Sequence, residues 1–414
     1  MSSAARLPRT ARDVLRLRPW EALAYGGVVA LARWSGMWTH PIRACGDLER
    51  MRFLDKAYWI YKSTAPIRRA RRGSGLEDLF ERHRAARCEL PDGLRVDSRL
   101  RISAVGDLMN HPYLGRSGES LYREVEELIF GADLPMANLE CVVSAGPAGS
   151  FEISTRAGPP LHLRPEELAV IGGVGGRRYA FMGTACNHSL DLGGAGVDST
   201  IEALRGAGIV FHGTNTTDGD ARSAAIVEKG GFRIGVLAFT FGLNGRRPPP
   251  GRPLIVNRMD LNGPADALDC SLVEAQLACC RVAAVDFVVA QLHWGLEHEL
   301  FPSPEQLDVA HRLAELGVDA IIGHHPHVVQ PLELYRTRRD PSRIVPVFYS
   351  LGSLTTPFSA PFLRRSAVAT MQLARGIAAD GTVRTYVSDA RMAGVVQVVD
   401  EGSGTLSLTP GAVA

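Results

Sequence analysis

The chain has 414 residues, 45% hydrophobic and 22% charged, with a formal net charge of +2. That balance excludes a disordered, collagen-like or coiled-coil chain, and the length points to two or three domains. The charge is uneven: residues 1–100 hold 20 Lys+Arg and 11 Asp+Glu, residues 101–414 hold 26 and 33, and Trp20, Trp34, Trp38 and Trp59 all lie in the front.

Residues 1–99 read as a basic, Trp-rich helical extension. Arg9 to Arg18 and Trp20 to Trp38 are helical patterns, and Leu76 to Arg87 is an amphipathic helix. The apolar run Ala22–Ala32 has 11 residues, well short of the roughly 20 that span a bilayer. No cleavage pattern follows it, so neither a spanning nor a cleaved segment is expected. Seven Cys without metal-ligand spacing fit a reducing cytoplasm. Arg beside Trp and Tyr suits the anionic inner surface of a membrane, so residues 1–99 are candidates for peripheral membrane contact. The leading expectation is that these helices pack onto the acidic body, basic on acidic, with membrane contact and partner binding as the alternatives.

From Leu100 short apolar runs alternate with helical patterns, which argues an α/β architecture. Strands are expected over Leu100–Val105, Leu134–Ala137, Arg178–Thr184, Ile209–His212, Ser223–Glu228, Phe232–Phe239, Asp286–Leu292, Ala320–Ile322 and Val345–Tyr349. Helices are expected over Ser120–Phe130, Gly194–Ala207, Cys270–Val282 and Pro304–Leu316. The last has Ser303 as N-cap, Pro304 in its first turn and Gly317 to end it. The organisation expected is 1–99 as extension, 100–400 as one large domain and 401–414 as a loose tail. Ile171–Gly176 resembles a phosphate loop, but without a following Lys-Ser/Thr it reads as a flexible turn. The acidic body offers no basic face for nucleic acid.

Five strand ends deliver chemistry-bearing residues: Gly106-Asp107, Asn138-Leu139-Glu140, Asn187-His188, His293-Trp294 and His324-His325-Pro326-His327. In α/β sheets, sites lie beyond the carboxyl ends of strands. Carboxylates, a carboxamide and imidazoles together suit Mn, Fe or Zn. Each pair alone has a bland reading as turn, cap or core residue. Three imidazoles in four residues, in a chain with 12 His, do not.

These motifs, in this order, resemble those of the CapA (PgsA) family of poly-γ-glutamate capsule biosynthesis proteins, which is similar to the calcineurin-like metallophosphatases. Asn187-His188-Ser189-Leu190-Asp191, His293-Trp294-Gly295-x-Glu297, Thr240-Phe241-Gly242-Leu243-Asn244-Gly245 and Tyr349-Ser350-Leu351-Gly352 carry the resemblance over about residues 100–360. It implies a four-layer αββα sandwich with two mixed sheets. It implies a divalent metal site of one or two ions held by Asp107, Glu140, Asn187, His293, His325 and His327. His188 is then the general acid and Asp191 its orienting carboxylate, though Asp191 also reads as a helix N-cap. Asn138, Asn244, Glu297 and His324 are expected behind the ligands or against substrate. The expected function is a hydrolase attacking a phosphoester with metal-activated water. The alternative is an accessory role in capsule synthesis or export, with the site gripping carboxylates. The substrate expected carries phosphate or carboxylate. Departures are Asp107-Leu108-Met109 in place of Asp-x-His, with His111 nearby, Cys186 in place of an Asn, and Ser353-Leu354 in place of Asn-Phe.

Overall fold

The computed structural model describes residues 7–15, 17–47, 50–146 and 160–413. Among the described residues three α-helices precede the body: α1 (Pro19–Ser35), α2 (Phe53–Thr64) and α3 (Leu76–Ala85). Gly36 ends α1 in the left-handed region at φ 67°, a conformation glycine takes without penalty. Tyr25, Val29 and Ala32 of α1 meet Ala57, Tyr58 and Ile60 of α2 in a small core closed by Trp38. Phe80 of α3 packs edge-on against Tyr349 of the body, ring centroids 5.7 Å apart. The front therefore shares its core with the body. Sequence patterning did not mark α2, because Lys56, Lys62 and two Tyr interrupt its apolar stripe.

The body runs β1 (Arg95–Leu108), β2 (Leu134–Leu139), β3 (Phe181–Gly183), α4 (Gly193–Gly206) and β4 (Val210–His212). It continues through β5 (Ala225–Lys229), β6 (Phe232–Thr240), α5 (Ser271–Val282), β7 (Phe287–His293), α6 (Pro304–Leu316) and β8 (Ala320–His324). It closes with β9 (Leu332–Arg336), β10 (Ile344–Phe348), β11 (Ser353–Thr355), β12 (Arg365–Ile377), β13 (Val383–Asp400) and β14 (Thr405–Gly411). One sheet has the order β14-β13-β12-β1-β2-β3-β4, with β11 also on β1; the other is β9-β10-β8-β7-β6-β5. Both mix parallel and antiparallel pairs.

Period-2 alternation builds the layers. Ile234 and Val236 of β6 face the first sheet, whose Ile102, Ala104 and Met136 face back, in a core between the sheets. Leu237 and Phe239 of β6 face outward onto α5 and α6. Val105, Ala137 and Met182 face outward on the first sheet, under Leu204 of α4. The result is an αββα sandwich.

Three expectations are corrected. Residues 401–414 are not a loose tail: β14 is the edge strand of the first sheet, with Leu406 and Leu408 fully buried at alternate positions; Ala414 lies outside the described residues. The body begins at Arg95, since β1 pairs with β12 from that residue on. The helix expected over Ser120–Phe130 shrinks to Glu126–Phe130, after turns that begin at Gly118 with φ 47°. The Gly-rich segment is a small hairpin, Gly173–Val174 pairing with Arg177–Arg178. Among the described residues no helix is long and apolar enough to cross a membrane.

Candidate metal centre

Parallel pairing gathers the strand ends. Asp107 lies opposite Asn138 and Ser353, and His293 lies opposite His324 and Thr240. Glycine permits two of these approaches. A Cβ on Gly106 would stand 1.9 Å from the Gly352 carbonyl oxygen, and one on Gly323 would stand 2.0 Å from that of Tyr349. The loop after β8 is bent hard: His325 and His327 hold φ of 96° and 55°. Non-glycine residues in that region cost about 1–3 kcal/mol each and persist where the surroundings impose them.

Asp107 is fully buried at the centre. Asn138 Nδ2 donates to its Oδ1 at 2.9 Å, and the His325 backbone N–H donates to its Oδ2 at 3.1 Å. His324 Nδ1 lies 3.1 Å from Oδ1 and His327 Nδ1 3.4 Å from Oδ2. Burial alone would raise this carboxyl; the two imidazoles instead hold it well below the usual range. Ser353, where the resemblance expected Asn, holds His327 Nδ1 at 2.9 Å.

Glu140 stands beside it, also fully buried. Neither of its oxygens has a hydrogen-bond partner among the described residues. The nearest imidazole nitrogens, His293 Nε2 and His327 Nε2, lie 3.5 and 3.8 Å from Oε1. Burial, then the Asp107 and Glu297 carboxylates, push Glu140 well above the carboxylate range. His293 and His325 are pushed well below the imidazole range by burial, which leaves them neutral, the ligating form.

Candidate ligand atoms of Glu140, His293 and His325, of Asp107, Glu140 and His327, and of Glu297, His325 and His327 each lie within 4.8 Å of one another. Asn187 joins them through Oδ1, 2.8 Å from His293 Nε2. A carboxyl group buried without a hydrogen-bond partner, with the neutral His293 and His325 beside it, is the chemistry of a site that lacks a cation, so the residues fit a divalent ion. All six ligands expected from the sequence meet here. His324 is fully buried behind Asp107 and enters none of the three groups. His111 also stays out: it is buried, its Nδ1 accepts the Tyr113 N–H at 3.0 Å, and burial lowers it to about 4.

His188 flanks the centre. Its Nδ1 is 2.7 Å from Asp191 Oδ2, and its Nε2 is 3.4 Å from Asn244 Nδ2. Asn244 Oδ1 accepts from Asn187 Nδ2 at 3.2 Å. Asp191 does not cap α4; it accepts the Leu161 N–H at 2.8 Å and faces Arg246 Nε at 3.2 Å. Sequence reasoning missed Arg246 and Trp59, which lie outside the motifs.

The orphaned Glu140 gives a stability prediction. A carboxyl with a raised folded-state pKa contributes stability that is complete below the ordinary carboxylate pKa and is lost as pH rises through the raised value. Metal-free protein should therefore lose melting temperature as pH rises past the carboxylate range, through this group. Glu140→Gln should melt higher than the parent in chelator at neutral pH, with the gap closing toward about pH 4. Added Mn²⁺ should reverse the order. Equal melting of the two proteins in chelator at every pH would contradict the assignment.

A family model described as Bacterial capsule synthesis protein PGA_cap matches residues 101–357. The chain is 27% identical over 268 residues to the capsule biosynthesis protein CapA of Bacillus anthracis, covering 63% of this chain and 60% of that one. It is 26% identical over 269 residues to the PGA biosynthesis protein CapA of Bacillus subtilis, covering 62% and 63%. It is 28% identical over 234 residues to a probable polyglutamine synthesis accessory protein of Mycobacterium tuberculosis, covering 55% and 56%. The matched region thus spans about 60% of the length of the Bacillus relatives.

Proposed function

The chain belongs to the bacterial capsule synthesis protein family PGA_cap, and from that premise we propose that it is a metal-dependent hydrolase of phosphoesters. The observation that carries the reading is Glu140, a buried carboxylate with two unpartnered oxygens among neutral imidazoles. Asp107, Glu140, Asn187, His293, His325 and His327 would hold one or two divalent ions. When bound, such ions hold an anionic substrate and bring the pKa of a coordinated water toward neutrality. Every other step falls to the chain. His188, at the edge of the centre, donates a proton to the leaving oxygen. Asp191 fixes the imidazole through Nδ1, which leaves Nε2 as the atom facing the reaction. Asn244 holds Asn187 and His188 in one frame. Phe241, its ring centroid 4.6 Å from that of His325, keeps that side of the centre dry.

The names of the relatives favour a second reading, in which the ions grip the carboxylates of a capsule polymer without turnover. One screen separates the two. Protein stripped of metal and reloaded with Mn²⁺ is offered phosphomonoesters, phosphodiesters and oligo-γ-glutamate. Metal-dependent release of phosphate or alcohol supports the hydrolase. Metal-dependent binding of oligo-γ-glutamate without turnover supports the second reading and overturns the first.

A further inference from the structure

The front helices reach the metal centre. Trp59 of α2 donates its indole N–H to Glu297 Oε2 at 2.9 Å. His298 Nε2 lies 3.3 Å from the same oxygen. Glu297 is the carboxylate that groups with His325 and His327. The adjacent cation, Lys62 of the same helix, is not spent on Glu297. It is buried against Glu299 Oε1 at 2.6 Å, where Tyr58 OH also donates at 3.0 Å. The backbone reinforces the docking: Ile67 N–H donates to the His298 carbonyl, and His298 N–H to that of Pro326. The chain at Gly46 wedges against Leu296 and Phe241, so a Cβ there would come within 2.8 Å of Leu296 Cδ2.

The choice of donor matters. An indole N–H fixes a carboxylate in place without cancelling its charge, whereas Lys or Arg there would compete with a metal ion. We infer that Trp59 is a positioning residue that sets Glu297, with His325 and His327, as the holder of a second cation, so that residues outside the family match complete the centre. The groups Glu140–His293–His325 and Asp107–Glu140–His327 then serve the first ion, so that His325 and His327 enter the groups of both. This rests on the metal reading above.

Hydrogen-bond partners behind metal ligands typically change affinity by about 10–100-fold. The test is Mn²⁺ titration of the full chain, read by bound metal per chain and by electron paramagnetic resonance. The parent should bind two ions with a spin-coupled signal. Trp59→Phe should keep the first ion and weaken the second by roughly 10–100-fold, with the coupled signal lost at limiting Mn²⁺. Glu297→Gln should do the same. Two ions at parental affinity in both variants, or a single ion in the parent, would overturn the inference. A lowered melting temperature with both ions retained would mean that Trp59 acts only as packing, which also overturns it. A parent that binds no metal would bring down the underlying metal reading as well, and is distinguishable by that.

A separate observation carries a second inference. Trp20, Leu23, Leu31 and Trp34 share one face of α1 and are 61%, 82%, 53% and 86% exposed. At 100° per residue they fall within an arc of about 80°, which holds none of the helix's charges. Apolar side chains with Trp at both ends match a lipid surface, and the basic balance of residues 1–100, 20 Lys+Arg against 11 Asp+Glu, favours one bearing anionic headgroups. We propose that this face of α1 lies on such a surface. Full-length protein should co-float with vesicles containing phosphatidylglycerol and less with phosphatidylcholine alone. Replacing Trp20 and Trp34 with Ala should weaken binding roughly tenfold or more. No flotation with either vesicle would overturn the proposal. So would a concentration-dependent dimer lost in the same variant, since a second copy would then cover the face.

Discussion

Asp107→Ala is expected to lose bound metal and, with it, all metal-dependent turnover. Partners behind a ligand are worth about 10–100-fold in affinity or activity, so removal of a direct ligand should exceed that range. The reason is structural as well as electrostatic. Asp107 holds the His325 N–H, Asn138 and two imidazoles in one place. Without it, His327 loses the charge that raises its imidazole against burial. Asp107→Asn keeps the volume and one carbonyl acceptor, so it separates loss of ligand charge from loss of fold. Metal per chain measured by plasma mass spectrometry should fall in both variants, while the circular dichroism of Asp107→Asn stays parental. Full metal occupancy in Asp107→Asn would remove Asp107 from the ligand set.

His188→Asn is expected to cost roughly 10²–10⁴ in turnover, the usual worth of a positioned general acid, with metal content unchanged. His188 enters none of the three ligand groups, and its Nδ1 is committed to Asp191. The loss should shrink on substrates with acidic leaving groups, such as nitrophenol esters, because these leave without a proton. A uniform loss across leaving groups, or loss of metal, would make His188 a ligand or a frame residue.

The cluster was legible because its residues stand at or just past the ends of strands, where a short apolar run stops and a polar residue follows. Asp107, Asn138, His293 and His324 sit at the last or next-to-last positions of β1, β2, β7 and β8, and parallel pairing brings such ends together. Asp191 was ambiguous because an acidic residue two positions before a helix serves equally as a cap, and only its distance to His188 decides. Ser353 read as a departure, yet its hydroxyl holds His327. In the front, the helices α1 and α3 and their packing onto the body were legible, but the contacts that reach the centre were not. The contacts of Trp59 and Lys62 with Glu297 and Glu299 are separated by 238 and 237 residues, and no local period records such pairs. Residues 381–414 read as a small β appendage with a loose end rather than as strands of the first sheet, because the faces of β13 and β14 are only partly covered, which weakens the alternation that marks a strand.

In the proposed function a cation completes the pocket around Glu140, and hydrolysis depends on it. The most direct measurement is the rate of a nitrophenyl phosphodiester, and of the monoester, with protein stripped by chelator and the same protein reloaded with Mn²⁺. Stripped protein should show no turnover, reloaded protein should turn over, and Asp107→Asn should show none in either state. Equal turnover by stripped and reloaded protein, or none from fully loaded protein on any phosphoester, would contradict the proposed function.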